Sequence, residues 1–184
     1  MAVPDFEQIV DAYYAALYRF ALSLARGEAA AADLTQQTFY LWASRGHQLR
    51  DAGKVKSWLF TTLYREFLNL HRREVRFPQT ELDAETAEIP EQSGSIADSI
   101  DGAAAVEALR QIDPVFRAPL TLFYLEEFSY REIAAVLGIP AGTVMSRLSR
   151  GKSLLRKLLM EQGIDATRKI VPMPMPRTSE GGAP

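Results

Sequence analysis

The 184-residue chain contains no cysteine. That excludes a disulfide framework, a thiol nucleophile and any cysteine-ligated metal. Histidine is almost as scarce. His47 and His71 are the only two, 24 residues apart, and they match no short-spaced zinc motif. Neither sign of charge is in excess, since 21 Lys and Arg against 23 Asp and Glu leave a net −2. A protein that coats nucleic acid by bulk charge would be strongly basic. No apolar run approaches the roughly 18 residues needed to span a bilayer. The opening MAVPDFEQIV holds neither the basic nor the apolar region of a signal peptide. Paired carboxylates at catalytic spacing, a histidine cluster and a glycine-rich phosphate loop are also lacking. No enzyme, metal site, cofactor or small-molecule substrate is therefore expected, and a cytoplasmic protein is. What remains is ordinary globular composition, 47% hydrophobic and 24% charged, enough for one domain or two small ones.

The near-neutral charge conceals a segregation. From Thr80 to Asp101 there are seven acids and no Lys or Arg, so the other 162 residues carry 21 basic and 16 acidic groups. This stretch is poor in large apolar residues and cannot offset its ordering entropy by burial. A flexible acidic linker is expected over 77–101. It would separate an N-terminal domain, 1–76, from a C-terminal one, 102–162. The Pro-rich end, 163–184, is expected to be a disordered tail.

Both domains read as all-α. Asp5 can cap a helix to about Ala25, with Ile9, Tyr13, Ala16, Leu17, Phe20 and Leu24 at helical spacing. A second helix is predicted from about Ala29 to Ser44, a loop over Gly46–Gly53, and a third helix from about Lys54 to Arg73. The C-terminal domain predicts helices at 102–111 and 114–126, the second opened by Asp113-Pro114, a cap followed by a first-turn proline. Ser129-Tyr130-Arg131-Glu132 forms a capping box, in which Ser and Glu satisfy each other's free backbone N–H groups. The helix it opens is stopped by Gly138, and a longer one runs from Ala141 to Met160.

Short helix, glycine turn and longer helix is the organisation of a helix-turn-helix. At about 100° per residue, Val144, Leu148, Gly151, Leu155 and Leu158 share one face of the longer helix. Ser146, Ser149, Arg150, Ser153 and Lys157 lie opposite. Five basic residues and no acid occur between Ala141 and Met160. Small hydroxyls let a backbone approach DNA closely, and Arg can take guanine bidentately or grip phosphate. The same pattern also fits a hairpin with a solvated basic face, or a stand-alone helix-turn-helix regulator.

Three stretches in this order resemble the extracytoplasmic-function (ECF) group of RNA polymerase sigma factors. They are Ala32-Asp33-Leu34-Thr35-Gln36-Gln37-Thr38-Phe39, then Ser57-Trp58-Leu59-Phe60 with the basic end His71-Arg72-Arg73, and Phe128 through Leu148. The resemblance implies two small helical domains, sigma region 2 and region 4, joined by the linker. It implies docking on the β′ clamp helices of the polymerase core through Asp33, Leu34, Gln36, Gln37, Phe39 and Trp42, and contact of the core's β flap. It implies single-stranded −10 DNA capture by Leu49, Arg50, Asp51, Gly53, Lys54, Lys56, Trp58 and Arg65, with Phe60 and Tyr64 as further stacking surfaces. It implies duplex −35 contacts from Thr143, Met145, Ser146, Arg147, Ser149, Arg150 and Lys152. An anti-sigma factor is implied as a further partner, one able to hold the chain at the membrane. The acidic linker would mimic RNA in the polymerase channel. Three positions depart from the family pattern. Leu49 stands where an aromatic is common, Arg65 where Asn is common, and Met145 where a cation is common. A degenerate member acting only through protein–protein binding therefore stays open beside the sigma and stand-alone readings.

Overall fold

The computed structural model describes residues 5–76 and 108–161. The expected linker, tail and first part of the 102–111 helix lie outside these. Helices joined by short turns make up the described residues, among which there is no strand. The N-terminal half is α1 (Phe6–Leu24), α2 (Glu28–Arg45), two single 3₁₀ turns (Gly46–Gln48 and Ala52–Lys54) and α3 (Val55–Arg76). The C-terminal half has one helical turn at 108–110, then α4 (Pro114–Tyr124), α5 (Tyr130–Leu137) and α6 (Ala141–Glu161).

The Asp5 side chain accepts a hydrogen bond from the Phe6 N–H at 2.7 Å and starts α1. That helix buries Ile9, Leu17, Phe20, Ala21 and Leu24, and Phe20 tilts against Phe60 of α3, ring centroids 5.4 Å apart. Helix α2 lies between α1 and α3. It therefore buries residues on two sides, Ala31, Leu34, Thr35, Thr38, Phe39 and Trp42. The two buried threonines turn their hydroxyls back onto the carbonyls of Ala31 and Leu34, at 2.8 and 2.7 Å, and leave no orphan donor.

In the C-terminal half Asp113 caps α4 through the Val115 N–H at 2.8 Å. Gly151 of α6 lies against α4. A Cβ there would meet Leu120 at 2.9 Å, so the close approach of the two helices needs glycine. The capping box of α5 is formed: Glu132 accepts from the Ser129 N–H at 2.8 Å and from its hydroxyl at 2.6 Å. These bonds hold the Glu132 carboxyl below its ordinary pKa. Gly138, at φ 65°, supplies the left-handed residue that ends α5. On α6, Leu159 is buried where Leu158 was expected, and Leu158 is half-buried.

The halves pack together, α1 against α4 and α3 against α5. The joint is centred on residues 126–128. Arg19 donates through Nε and Nη2 to Glu126 Oε1 at 3.0 and 2.9 Å. Lys56 Nζ donates to the Glu126 carbonyl at 2.6 Å and sits 4.6 Å from the centre of the Phe128 ring. Phe128 meets Phe60 edge-on at 5.0 Å.

Candidate nucleic-acid interface

A cavity of about 400 Å³ opens where the end of α2 and its 3₁₀ turn meet α3, within the range of small-ligand sites. Leu41 and Arg45 come from α2, Gln48 and Leu49 from the turn, and Trp58, Thr62, Arg65 and Glu66 from α3. Trp58 is half-buried and packs edge-on to Trp42 at 5.2 Å. Gly46 lies on the Trp42 indole, where a Cβ would approach to 2.7 Å. Two fully buried supports, Trp42 and Gly46, thus fix the depth of the cavity from behind. Arg45 and Arg65 are exposed and take no ion pair among the described residues. An apolar wall with an aromatic ring, ringed by guanidinium and amide donors, suits a flat, acceptor-rich group.

Of the residues expected at the −10 element, Leu49, Trp58 and Arg65 line this cavity. Arg50 is exposed beside it in sequence. Asp51 serves the loop itself, accepting from the Gly53 N–H at 2.9 Å. Lys54 is exposed, 4.0 Å from the Asp51 carboxylate. Lys56 departs from expectation. Its ammonium faces the other half of the molecule, on the Glu126 carbonyl and the Phe128 ring. Phe60, expected as a stacking surface, is fully buried between Phe20 and Phe128. Tyr64 is half-buried. Burial raises its phenol pKa, while the charge of Arg147 on α6 pulls the other way.

Helix α6 presents Ser146, Ser149 and Arg150 to solvent, with Thr143, Met145, Arg147 and Lys152 half-buried at the margins. The Ser146 hydroxyl donates to the Thr143 carbonyl at 3.0 Å, and Ser153 to Ser149 at 3.1 Å. No carboxylate interrupts the stripe before Glu161, which pairs loosely with Lys157 at 3.9 Å.

The docking face expected on α2 needs correcting. Leu34, Phe39 and Trp42 are buried in the α1–α2–α3 core and are not available to a partner in this arrangement. The surface that α2 shows is Asp33, Gln36, Gln37 and Tyr40, and Tyr40 is 67% exposed. Beside it Tyr18, Tyr14 and Phe39 stack in a row at 6.0 and 6.2 Å.

Sequence reasoning missed Leu41, Arg45, Gln48, Thr62 and Glu66. The available signal was helical spacing. Leu41 and Arg45 lie one turn apart on α2, as do Trp58, Thr62 and Glu66 along α3, while Phe60 and Tyr64 follow a different face. The Arg19–Glu126 pair spans 107 residues and left no local trace.

Comparison with known proteins bears on the whole arrangement. Residues 9–77 match the family model for sigma-70 region 2, and residues 103–155 match that for sigma-70 region 4. The chain is 34% identical over 171 residues to the ECF RNA polymerase sigma factor SigE of Mycolicibacterium smegmatis, covering 91% of this chain and 66% of that protein. It is 31% identical over 159 residues to the ECF RNA polymerase sigma factor SigL of Mycobacterium tuberculosis, covering 85% of this chain and 89% of that one. Among solved structures it resembles the sigma factor RpoE of Bartonella quintana in complex with the anti-sigma factor NepR. There the TM-score is 0.72 at 32% identity, over 85% of this chain and 97% of that one. It also resembles CnrH in complex with the cytosolic domain of CnrY, with a TM-score of 0.58 at 25% identity, over 85% of this chain and 88% of that one. With both sigma regions in order, on the helices where the cavity and the acid-free stripe lie, the chain belongs to the ECF group of the sigma-70 family of RNA polymerase sigma factors.

Proposed function

We propose that the chain directs polymerase to promoters by two different readings of DNA. The domain over 102–162 reads the −35 element as duplex, with α6 in the major groove. Ser146, Ser149 and Arg150 contact base edges, and Thr143, Arg147 and Lys152 contact phosphates. The domain over 1–76 takes the −10 element as a single strand, one base leaving the stack for the cavity beside Trp58. Arg45 and Arg65 donate to that base, and Arg50 and Lys54 hold the adjoining phosphates. The exposed surface of α2, Asp33, Gln36, Gln37 and Tyr40, docks on the polymerase core. Energy from these three contacts opens the duplex, and the polymerase carries out the chemistry. The observation that carries the reading is the donor-ringed cavity in one half and the carboxylate-free stripe in the other.

The chain is similar to a sigma factor solved in complex with its anti-sigma factor, which supports an anti-sigma partner here too. Localisation would be cytoplasmic; among the described residues no helix is long and apolar enough to cross a membrane.

Pull-down with purified polymerase core, then run-off transcription on fragmented genomic DNA, tests the proposal. The expected result is core binding and new transcripts whose starts share a −35 and −10 pair. Tight specific binding to duplex DNA by the chain alone, without core binding, would overturn it in favour of a stand-alone regulator.

A further inference from the structure

Tyr14 and Tyr18 lie one turn apart on α1, and Phe39 of α2 continues their row. The ring centroids are 6.0 and 6.2 Å apart, at interplanar angles of 7° and 11°. Tyr14 is 46% exposed, and Tyr40, next to Phe39 in the chain, is 67% exposed. At about 100° per residue, Glu7 and Asp11 share the α1 face of the two tyrosines. Both acids are exposed and take no ion pair among the described residues. Exposed aromatic rows receive polyproline II segments, and carboxylates at the end of such a row can take a cation.

The chain carries a segment of that chemistry. We propose that residues 171–177, VPMPMPR, which lie outside the described residues, dock on this row in the free chain and cover the exposed face of α2. The consequence for α2 rests on the core-docking reading above; the docking itself does not.

Proline alternates at 172, 174 and 176. Each proline fixes its own φ and drives the residue before it out of the helical region. Six successive residues are thereby confined to extended or polyproline II backbone before anything is bound, so docking costs little ordering entropy. Polyproline II has about three residues per turn and a rise of about 3.1 Å. Val171, Pro174 and Arg177 then share one edge, about 9 Å apart, with Pro172 and Met175 on the next edge and Met173 on the third. Along α1, Tyr14 lies about 6 Å from Tyr18 and about 10 Å from Glu7, with Asp11 between. Val171 and Pro174 can therefore sit on the rings while Arg177 reaches the carboxylates. Met175 adds a thioether against the rings, a favourable contact.

Charge selects this face. Between Arg168 and Arg177 there are three cations and no acid. The cavity beside Trp58 also offers an aromatic ring, but Arg45 and Arg65 surround it and repel such a segment. Reach permits the docking. The ten steps from Glu161 to Val171 span at most about 36 Å, against a radius of gyration of about 14 Å for a protein body of this size.

The five methionines make the test direct. In the full chain with carbon-13 on the methionine methyls, a methyl lying over a ring is shifted upfield. The Met175 methyl of the free parent is expected upfield of its position in a variant carrying Pro172→Gly, Pro174→Gly and Pro176→Gly together, and Met173 is expected to move less. Tyr14→Gln should remove the Met175 shift. Arg177→Glu should weaken it, and adding Glu7→Lys and Asp11→Lys to that variant should restore it. The tail variants leave every described helix unaltered, so they decide the matter even if Tyr14→Gln loses helix. An identical Met175 position in the parent and the glycine variant overturns the proposal. So does a charge reversal that fails to restore the shift, or a shift that grows with protein concentration, which would place the segment on a second copy. Freed of its competitor, α2 of the glycine variant is expected to bind polymerase core about tenfold more tightly than the parent. Equal core affinity beside a shifted Met175 overturns the covering of α2. A shifted Met175 without core binding by any variant retains the docked segment and removes the sigma role. Core binding by a parent whose Met175 is unshifted does the reverse.

Discussion

Helix α6 offers Ser146, Ser149 and Arg150 from one continuous segment, whereas the cavity beside Trp58 is assembled from the end of α2, a 3₁₀ turn and one face of α3. The first surface exists wherever the helix exists. The second exists only while three segments keep their relative positions, and it is supported by buried residues that never face DNA. A linear surface and an assembled one should therefore fail in different ways.

The sharpest break comes from Trp42. It is 4% exposed and braces Trp58 from behind. Trp42→Ala is expected to destabilise the N-terminal half by about 3–5 kcal/mol and to abolish promoter melting. Helix α6 should remain intact, because no described contact joins it to Trp42. Urea unfolding followed by tryptophan fluorescence and by helix content should then separate into two transitions. A single transition shifted as a whole would show that the halves fold as one unit.

The next test sharpens the assembled surface alone. Arg45 and Arg65 place ten N–H donors at the cavity, and Glu66 adds an acceptor at its edge. Guanine matches both, with O6 and N7 for an Arg and amino hydrogen for a carboxylate. Promoter selection is expected to favour guanine at one −10 position. Arg65→Asn should lose about 1–3 kcal/mol of that discrimination while leaving every −35 preference unchanged. Flat selection at all −10 positions by the parent would remove the cavity from base readout.

This contrast also explains what was legible in the sequence. The stripe on α6, the Ser129–Glu132 box and the Gly138 turn all follow from spacing within one segment. For α2, the resemblance grouped Leu34, Phe39 and Trp42 with Asp33, Gln36 and Gln37 as one docking set, and nothing within the segment separated the core residues from the surface ones. The helix is packed on both sides, by α1 and by α3, so its apolar residues are core and its polar ones are surface. Lys56 and Phe60 read as DNA ligands because nothing local shows that Phe128, 68 residues beyond Phe60, arrives to cover them.

Two glutamates six residues apart carry the comparison into pH. Burial raises Glu126, while hydrogen bonds from Ser129 lower Glu132. A raised carboxyl pKa favours the folded state below the ordinary value of 4.5 and loses that advantage as pH rises through the folded value. A lowered one gives stability above 4.5 that is lost as pH falls through the folded value. Glu126→Gln should flatten the stability profile on the neutral side of 4.5, and Ser129→Ala on the acid side. Ser129→Ala should also cost about 1 kcal/mol at neutral pH through the lost cap. Thermal melts across a pH series read both. If one variant flattened both limbs, the two carboxyls would be coupled rather than separate.

The smallest expected effect tests the linear surface at Met145. It is half-buried at the edge of the α6 stripe, one residue before Ser146, so a longer cationic side chain there can keep its stem on the protein and send its charge outward. Each phosphate neutralised adds about one unit to the slope of log affinity against log salt. Met145→Arg is therefore expected to tighten holoenzyme binding to a −35 duplex at low salt and to steepen that slope by about one. Preference among −35 sequences should not change, because a phosphate contact reads no base. A steeper slope with altered base preference would place residue 145 in the groove instead of at its rim. An unchanged slope would mean that this edge of α6 never meets the backbone, and the groove would then have to be approached from the Ser149 and Arg150 side of the helix alone.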